Sequence, residues 1–226
     1  EVCRAGQCSG SIPFRHSMRT KGSMLPFDVI LFDIGGVLLT NGWDHCERSM
    51  VLDTFHLDHA EFEKRHAAAN DAWERDLISA REYLDATVFY APRNFTADDF
   101  LAALFAESVL LPDGGLSILQ ELAASGKWML GCLNNEAREP NEYRLQKYNL
   151  RDAFDVALSS CYVGLRKPQP AIYKRALDIL GKPAERILFI DDRQENVAAA
   201  RAAGIKGIRF EGAEQLRRDL EILGVY

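Results

Sequence analysis

The sequence predicts an α/β fold, a doubly wound parallel sheet into which an α-helical cap is inserted. Three observations carry that expectation. Short apolar runs of strand length recur along the chain, helical stretches alternate with them through the second half, and the region between the first run and residue 111 has helical periodicity alone.

The first strand is expected at residues 27–32 (FDVILF), which run into Asp33 and the pair Gly35-Gly36. Its unbroken apolar character is that of a parallel strand covered on both faces. Residues 128–133 (WMLGCL), 187–190 (ILFI) and 207–210 (GIRF) repeat the theme. A helical stretch at 116–124 closes on Ser125-Gly126, and those at 171–180, 197–203 and 215–223 close on Gly181, Gly204 and Gly224. Glycine suits the left-handed residue that ends many helices. Between the first strand and residue 111, four amphipathic helices are expected at 44–57, 59–75, 79–90 and 96–107. Ser79 with Glu82, and Thr96 with Asp99, have the spacing of a capping box. The expected division is a tail at 1–24, a core of 25–40 plus 110–226, and a helical cap at 41–109. The tail lacks the apolar run of a signal peptide or membrane helix and is assigned no function; Met18 and Met24 within it are both candidate starts.

At 226 residues, 47% hydrophobic and 27% charged, the chain is long enough for a sizeable core and a smaller inserted unit. A net charge of −6 argues against a nucleic-acid partner, which needs concentrated Lys and Arg. A small phosphate ester stays compatible, because a local pocket can be basic on an acidic protein. No membrane association is expected. The five cysteines are irregularly spaced without a C-x-x-C, so neither a disulfide framework nor a zinc site is expected, and a cytoplasmic location fits.

In open α/β sheets ligands bind beyond the carboxyl ends of the strands. Three such ends are polar here: Asp33, the pair Asn134-Asn135 and the pair Asp191-Asp192. Adjacent buried acids are costly without a cation, and with Asp33 they form the kind of carboxylate set that holds Mg²⁺. Each also has a plainer reading, Asp33 as a turn residue before glycines and the Asp pair as a helix cap. Lys167 precedes Pro168 and so stands in an extended loop before a helix N-terminus, where it would neutralise phosphate or remain a solvated lysine. The Asn134 amide can donate to a phosphoryl oxygen or serve as a turn or cap residue.

These segments, in this order, resemble the haloacid dehalogenase superfamily: FDIGGVLL its first motif, LGCLNNE its second, GLRKPQPAIY its third and ILFIDDRQENVAAARAAG its fourth. The stretch ERDLISAREYLDA is similar to a segment of the branch containing glucose-1-phosphatase-like enzymes, which also has D-x-G at the first motif. The resemblance implies a Rossmann-like core and a phosphatase in which Asp33 attacks phosphorus to give an aspartyl-phosphate. It implies Mg²⁺ on Asp33, the Gly35 carbonyl and Asp192, with Asp191 assisting and Asn196 supporting them. Lys167 would offset the gathered charge, while Gly35, Gly36, Asn134 and Asn135 would surround the phosphate.

Two departures matter. Where the family's phosphatases usually carry an Asp as general acid and base, this chain has Gly35, which leaves proton transfer unassigned. Asn134 stands where Ser or Thr is usual. The expected function is therefore a Mg²⁺-dependent phosphatase for a small, sugar-like phosphate ester. The alternatives are a non-catalytic phospholigand-binding domain, or a 2-haloacid dehalogenase, in which Asp191 and Asp192 would go unexplained. For the substrate, Trp43, Asp44, Arg75 and Arg138 are candidates; Trp43 and Trp73 read more readily as packing, and Arg138 equally as a solvated arginine. Oligomeric state is not legible.

Overall fold

The computed structural model describes residues 26–226; the N-terminal tail expected at 1–24 lies outside them. Strands β1 (Val29–Phe32), β2 (Met129–Cys132), β3 (Val156–Ala157), β4 (Ile187–Asp191) and β5 (Lys206–Arg209) form one parallel sheet in the order β3-β2-β1-β4-β5. The helices are α1 (His45–Thr54), α2 (His59–Glu74), α3 (Ala80–Thr87), α4 (Ala97–Ala106), α5 (Leu116–Ser125), α6 (Arg138–Lys147), α7 (Leu150–Ala153), α8 (Ser160–Val163), α9 (Pro170–Leu180), α10 (Gln194–Ala202) and α11 (Ala213–Ile222).

The period-two geometry of a strand explains the apolar run of β1. Ile30 and Phe32 join Ile118, Leu119 and Leu122 of α5 and Leu216 and Leu220 of α11 in one core. Val29 and Leu31 point the other way, into a second core with Ile172, Tyr173 and Ala176 of α9 and Ala200 of α10. β4 divides likewise, Leu188 and Ile190 to the first core and Ile187 and Phe189 to the second. Helices therefore cover both faces, as the sequence predicted.

The chain runs outward from β1 through β2 to β3, then crosses back to β4 and outward again to β5. The direction reverses between β1 and β4, and a crevice opens at such a switch point beyond the carboxyl ends of the strands. Phe32 is in register with Ile190, so Asp33 comes beside Asp191, and the Asp33 N–H donates to the Ile190 carbonyl at 2.8 Å.

Helices α1–α4 lie between β1 and α5 and bury their own apolar cluster, including Val51, Leu52, Phe62, Trp73, Tyr83, Leu84, Phe100 and Leu104. Ser79 and Thr96 make complete capping boxes with Glu82 and Asp99. Among the described residues no helix is long and apolar enough to cross a membrane.

Three differences from the sequence reading have simple causes. β3 was missed because two half-buried residues make no apolar run. β5 starts one residue earlier than expected, at an exposed Lys206. Helix α10 starts at Gln194 rather than 197, its first turn being polar.

Candidate active site

Asp33, Asp191 and Asp192 meet at the switch point, with one carboxylate oxygen of each within 4.8 Å of the others. Asp33 follows β1 and Asp191 ends β4, so the sheet register itself assembles the group. Lys167 reaches it from the loop before α9, its Nζ 2.9 Å from Asp33 Oδ2 and 2.7 Å from Asp191 Oδ2, in a position only 4% exposed.

The three carboxylates differ in what they have left to offer. Asp191 is saturated: Oδ1 accepts from the Arg193 N–H at 2.8 Å and from Asn196 Nδ2 at 3.0 Å, and Oδ2 accepts from Lys167. Neither Asp191 nor Asp192 caps α10, whose N-cap is Arg193 without a side-chain bond. Asp33 Oδ1 accepts the Ile34 N–H at 2.8 Å. Asp192 Oδ1, by contrast, is buried and has no hydrogen-bond partner among the described residues.

Burial pushes the Asp33 carboxyl up to about 7, against the attraction of Lys167, with Asp191 and Asp192 adding repulsion. Burial, then Asp191, raises Asp192 as well. Burial works against the Lys167 ammonium, but Asp191 and Asp33 outweigh it and hold its pKa above the ordinary value. One ammonium therefore leaves three clustered carboxylates undercompensated. A hard divalent cation with oxygen ligands fits that set, and the unpartnered Asp192 oxygen is a vacant donor for it.

The glycines after Asp33 supply space. A Cβ on Gly36 would lie 2.3 Å from Asp192 Oδ2, and Gly36 has φ +71°, a conformation that side-chain-bearing residues rarely adopt. Its N–H, expected to face phosphate, is spent on the Leu39 carbonyl at 2.8 Å. A Cβ on Gly35 would face Asn41 Oδ1 at 3.0 Å and Arg144 Nη1 at 3.7 Å.

The asparagine pair divides. Asn135, expected to bind phosphate, instead pairs with the backbone of Lys167, donating to its carbonyl and accepting its N–H, both at 2.8 Å. Asn134 is buried; Nδ2 donates to Asn141 Oδ1 at 3.0 Å and its carbonyl oxygen accepts from Ser159 Oγ at 2.8 Å, which commits one of its two amide hydrogens. It caps no helix, since α6 starts from Ala137. Asn196 lies beneath Asp191, as just described.

Of the residues predicted to meet substrate, Trp43 is taken up by packing. It donates to the Tyr83 hydroxyl at 2.9 Å and meets Phe62 and Phe100 edge-on, because an indole in this apolar cluster needs a partner for its N–H. Trp73 stacks on Tyr83. Asp44 caps α1 and accepts from Arg193 Nη2 at 2.8 Å, bridging to the residue after Asp192. Arg75 donates to the Gly164 carbonyl at the end of α8 and to Asp71, and Arg138 at the start of α6 forks onto Asp76, so both guanidinium groups tie the end of α2 to helices of the core.

Glu136, Arg144 and Arg166 join this region through ion pairs that the sequence does not display. Glu136 Oε2 and Arg144 Nη1 form a buried pair at 2.8 Å, and Arg166 lies against Glu74 at 2.6 Å and Asp71 at 3.2 Å. The signal for Glu136 was its place directly after Asn134-Asn135 at a strand end; its arginine is contributed by α6.

The profile of the haloacid dehalogenase-like hydrolase family matches residues 27–204. Flavin mononucleotide hydrolase 1 of Arabidopsis thaliana is 30% identical over 188 residues, covering 78% of this chain and 74% of the relative. Phosphatase MT3486 of Mycobacterium tuberculosis is 30% identical over 215 residues, covering 88% and 96%. Some relatives are much longer: the chain spans 35% of the length of drimenol cyclase drtB of Aspergillus calidoustus, with 26% identity. Among solved structures, a HAD family enzyme of Bacteroides thetaiotaomicron, determined with magnesium and inorganic phosphate, shares the fold with a TM-score of 0.69 and 22% identity, covering 82% of this chain and 95% of that one.

Proposed function

The chain belongs to the haloacid dehalogenase-like hydrolase family, and on that premise we propose that it is a Mg²⁺-dependent phosphatase of small phosphate esters, sugar phosphates among them, with Asp33 as nucleophile. The observation that carries this reading is the buried oxygen of Asp192, unpartnered among the described residues, beside Asp33 and Asp191, with Lys167 in contact with two of the three carboxylates.

Asp33, Asp192 and the Gly35 carbonyl would hold the Mg²⁺, which when bound would draw charge from the phosphoryl oxygens. Lys167 keeps the nucleophile oriented and balances its charge. Asp191 anchors Lys167 and is itself fixed by Asn196 and the Arg193 N–H. Asp33 attacks phosphorus, the ester oxygen departs, and water then attacks the same phosphorus to release phosphate and regenerate the carboxylate. Splitting one displacement into two avoids having to activate water against an intact ester. A dehalogenase attacking carbon would have no need for the third carboxylate, and this favours phosphoryl transfer.

The test is a phosphate-release screen across small phosphate esters, run with Mg²⁺ and with EDTA, on wild type and Asp33→Asn. Metal-dependent release lost in the variant is expected. Chloride release from 2-chloropropionate without metal, or phosphate-analogue binding without any release, would contradict the proposal.

A further inference from the structure

Resting on the phosphatase reading, the chemistry poses a question that Gly35 leaves open: a departing alkoxide needs a proton, and the attacking water must lose one. We propose that Glu136 carries this proton, giving it to the leaving oxygen and taking one back from water.

Glu136 follows Asn134-Asn135 at the carboxyl end of β2, on the same rim of the sheet as Asp33. Its carboxylate meets Arg144 Nη1 at 2.8 Å, and that same nitrogen lies 3.7 Å from where a Cβ on Gly35 would stand. The Glu136 carboxyl and the place of the missing side chain are thus both neighbours of one guanidinium nitrogen. Arg144 is itself fixed, donating from Nε to Ser108 Oγ at 3.0 Å and from Nη2 to the Thr40 carbonyl at 2.7 Å.

Other titratable groups nearby are committed. Lys167 is charged between two carboxylates, His66 bonds Tyr83 at 2.7 Å and Tyr173 donates to the Asn196 carbonyl at 2.8 Å, while Glu74 is paired with Arg166 as Glu136 is with Arg144 but comes from α2 and not from the rim of the sheet. Among the described residues, the groups facing Glu136 are Arg144 from α6, Glu74 from α2, Cys161 from α8 and the Ala137 N–H. Burial, reinforced by Glu74, outweighs Arg144 and pushes the carboxyl up to about 7. A group that titrates near neutrality can donate in one step and accept in the next.

In the first step the Asp33 oxygen–phosphorus bond forms and the ester oxygen–phosphorus bond breaks, as the Glu136 proton passes to the departing oxygen. In the second, water bonds to phosphorus, its proton returns to the Glu136 carboxylate, and the Asp33–phosphorus bond breaks.

The test compares kcat/KM for phenyl phosphate and p-nitrophenyl phosphate, which differ in how much the leaving oxygen needs a proton. E136Q should lower the phenyl phosphate value by about 10²–10⁴-fold and the p-nitrophenyl phosphate value far less. Adding G35D to E136Q should restore much of the loss, since a Cβ at 35 crowds only the end of the Asn41 side chain. Equal losses on both substrates, or none, would overturn the proposal while leaving the phosphatase reading intact so long as D33N abolishes release. If E136Q does not fold, the wild-type pH profiles decide: a falling limb near pH 7 for phenyl phosphate alone supports Glu136, and identical profiles overturn it. No phosphate release by wild type with Mg²⁺ would overturn both readings.

Discussion

Asn135 holds Lys167 by both of its backbone groups, donating to the carbonyl and accepting the N–H at 2.8 Å each. The ammonium that touches Asp33 and Asp191 is thus placed by a side chain attached to β2, on the opposite side of β1 from Asp191. Asn135→Ala should cost about 1–3 kcal/mol of stability through two unpaired backbone groups. Displacing Lys167 by even 1 Å should lower kcat by up to about 10²-fold. Urea denaturation and phosphate release check the two effects. Wild-type values for both would show that the clamp is dispensable.

Gly36→Ala meets two obstacles at once. The left-handed backbone costs a side-chain-bearing residue about 1–2 kcal/mol, and the new Cβ would lie 2.3 Å from Asp192 Oδ2. Relief has to come from moving Asp192, so Mg²⁺ affinity should fall with activity, and a Mg²⁺ titration of the folded variant reads it directly. Unchanged affinity would mean that Asp192 is not a ligand.

Removing Lys167 as Lys167→Met leaves Asp33 and Asp191 buried without their ammonium. The expected cost is about 3–5 kcal/mol without metal, the penalty for an uncompensated buried charge. Combining it with Asp33→Asn should recover part of that loss, and the double-mutant cycle in EDTA measures the coupling. Strict additivity would contradict the pairing.

His66 of α2 packs against Phe62 and Tyr83, and burial, aided by Arg48, pushes its pKa down to about 4 from 6.5. The unfolded chain therefore takes up a proton below about 6.5 that the folded state refuses until about 4. Its contribution to stability is full above that window and is lost as pH falls through it, by up to about 3 kcal/mol. His66→Asn keeps an acceptor for Tyr83 and cannot titrate, so wild type should lose more stability than the variant between pH 8 and pH 5 in urea denaturation. Buried carboxyls shared by both proteins cancel in the difference; parallel losses would contradict the assignment.

How far the sequence could be read depended on how local each signal was. β1 and β4 announce themselves because two covered faces make an unbroken apolar run, and their ends carried Asp33, Asp191 and Asp192 into view. The two-residue β3 has no such signature. At the site, residue type alone could not say where a polar group would spend its hydrogen bonds. Asn135 goes to a backbone, Gly36 gives its N–H to a turn, and Trp43 gives its own to Tyr83. The Glu136–Arg144 pair joins residues from a loop and a helix whose side chains meet only after folding.

On the proposed mechanism Asp33 becomes phosphorylated during turnover. The most direct test is acid quenching during turnover of an aryl phosphate with Mg²⁺, followed by mass spectrometry of the peptide containing Asp33. One added phosphoryl group is expected on Asp33, absent with EDTA and absent in Asp33→Asn, which should also release no phosphate. Phosphate release that persists in Asp33→Asn, or a phosphoryl group trapped on another residue, would contradict it.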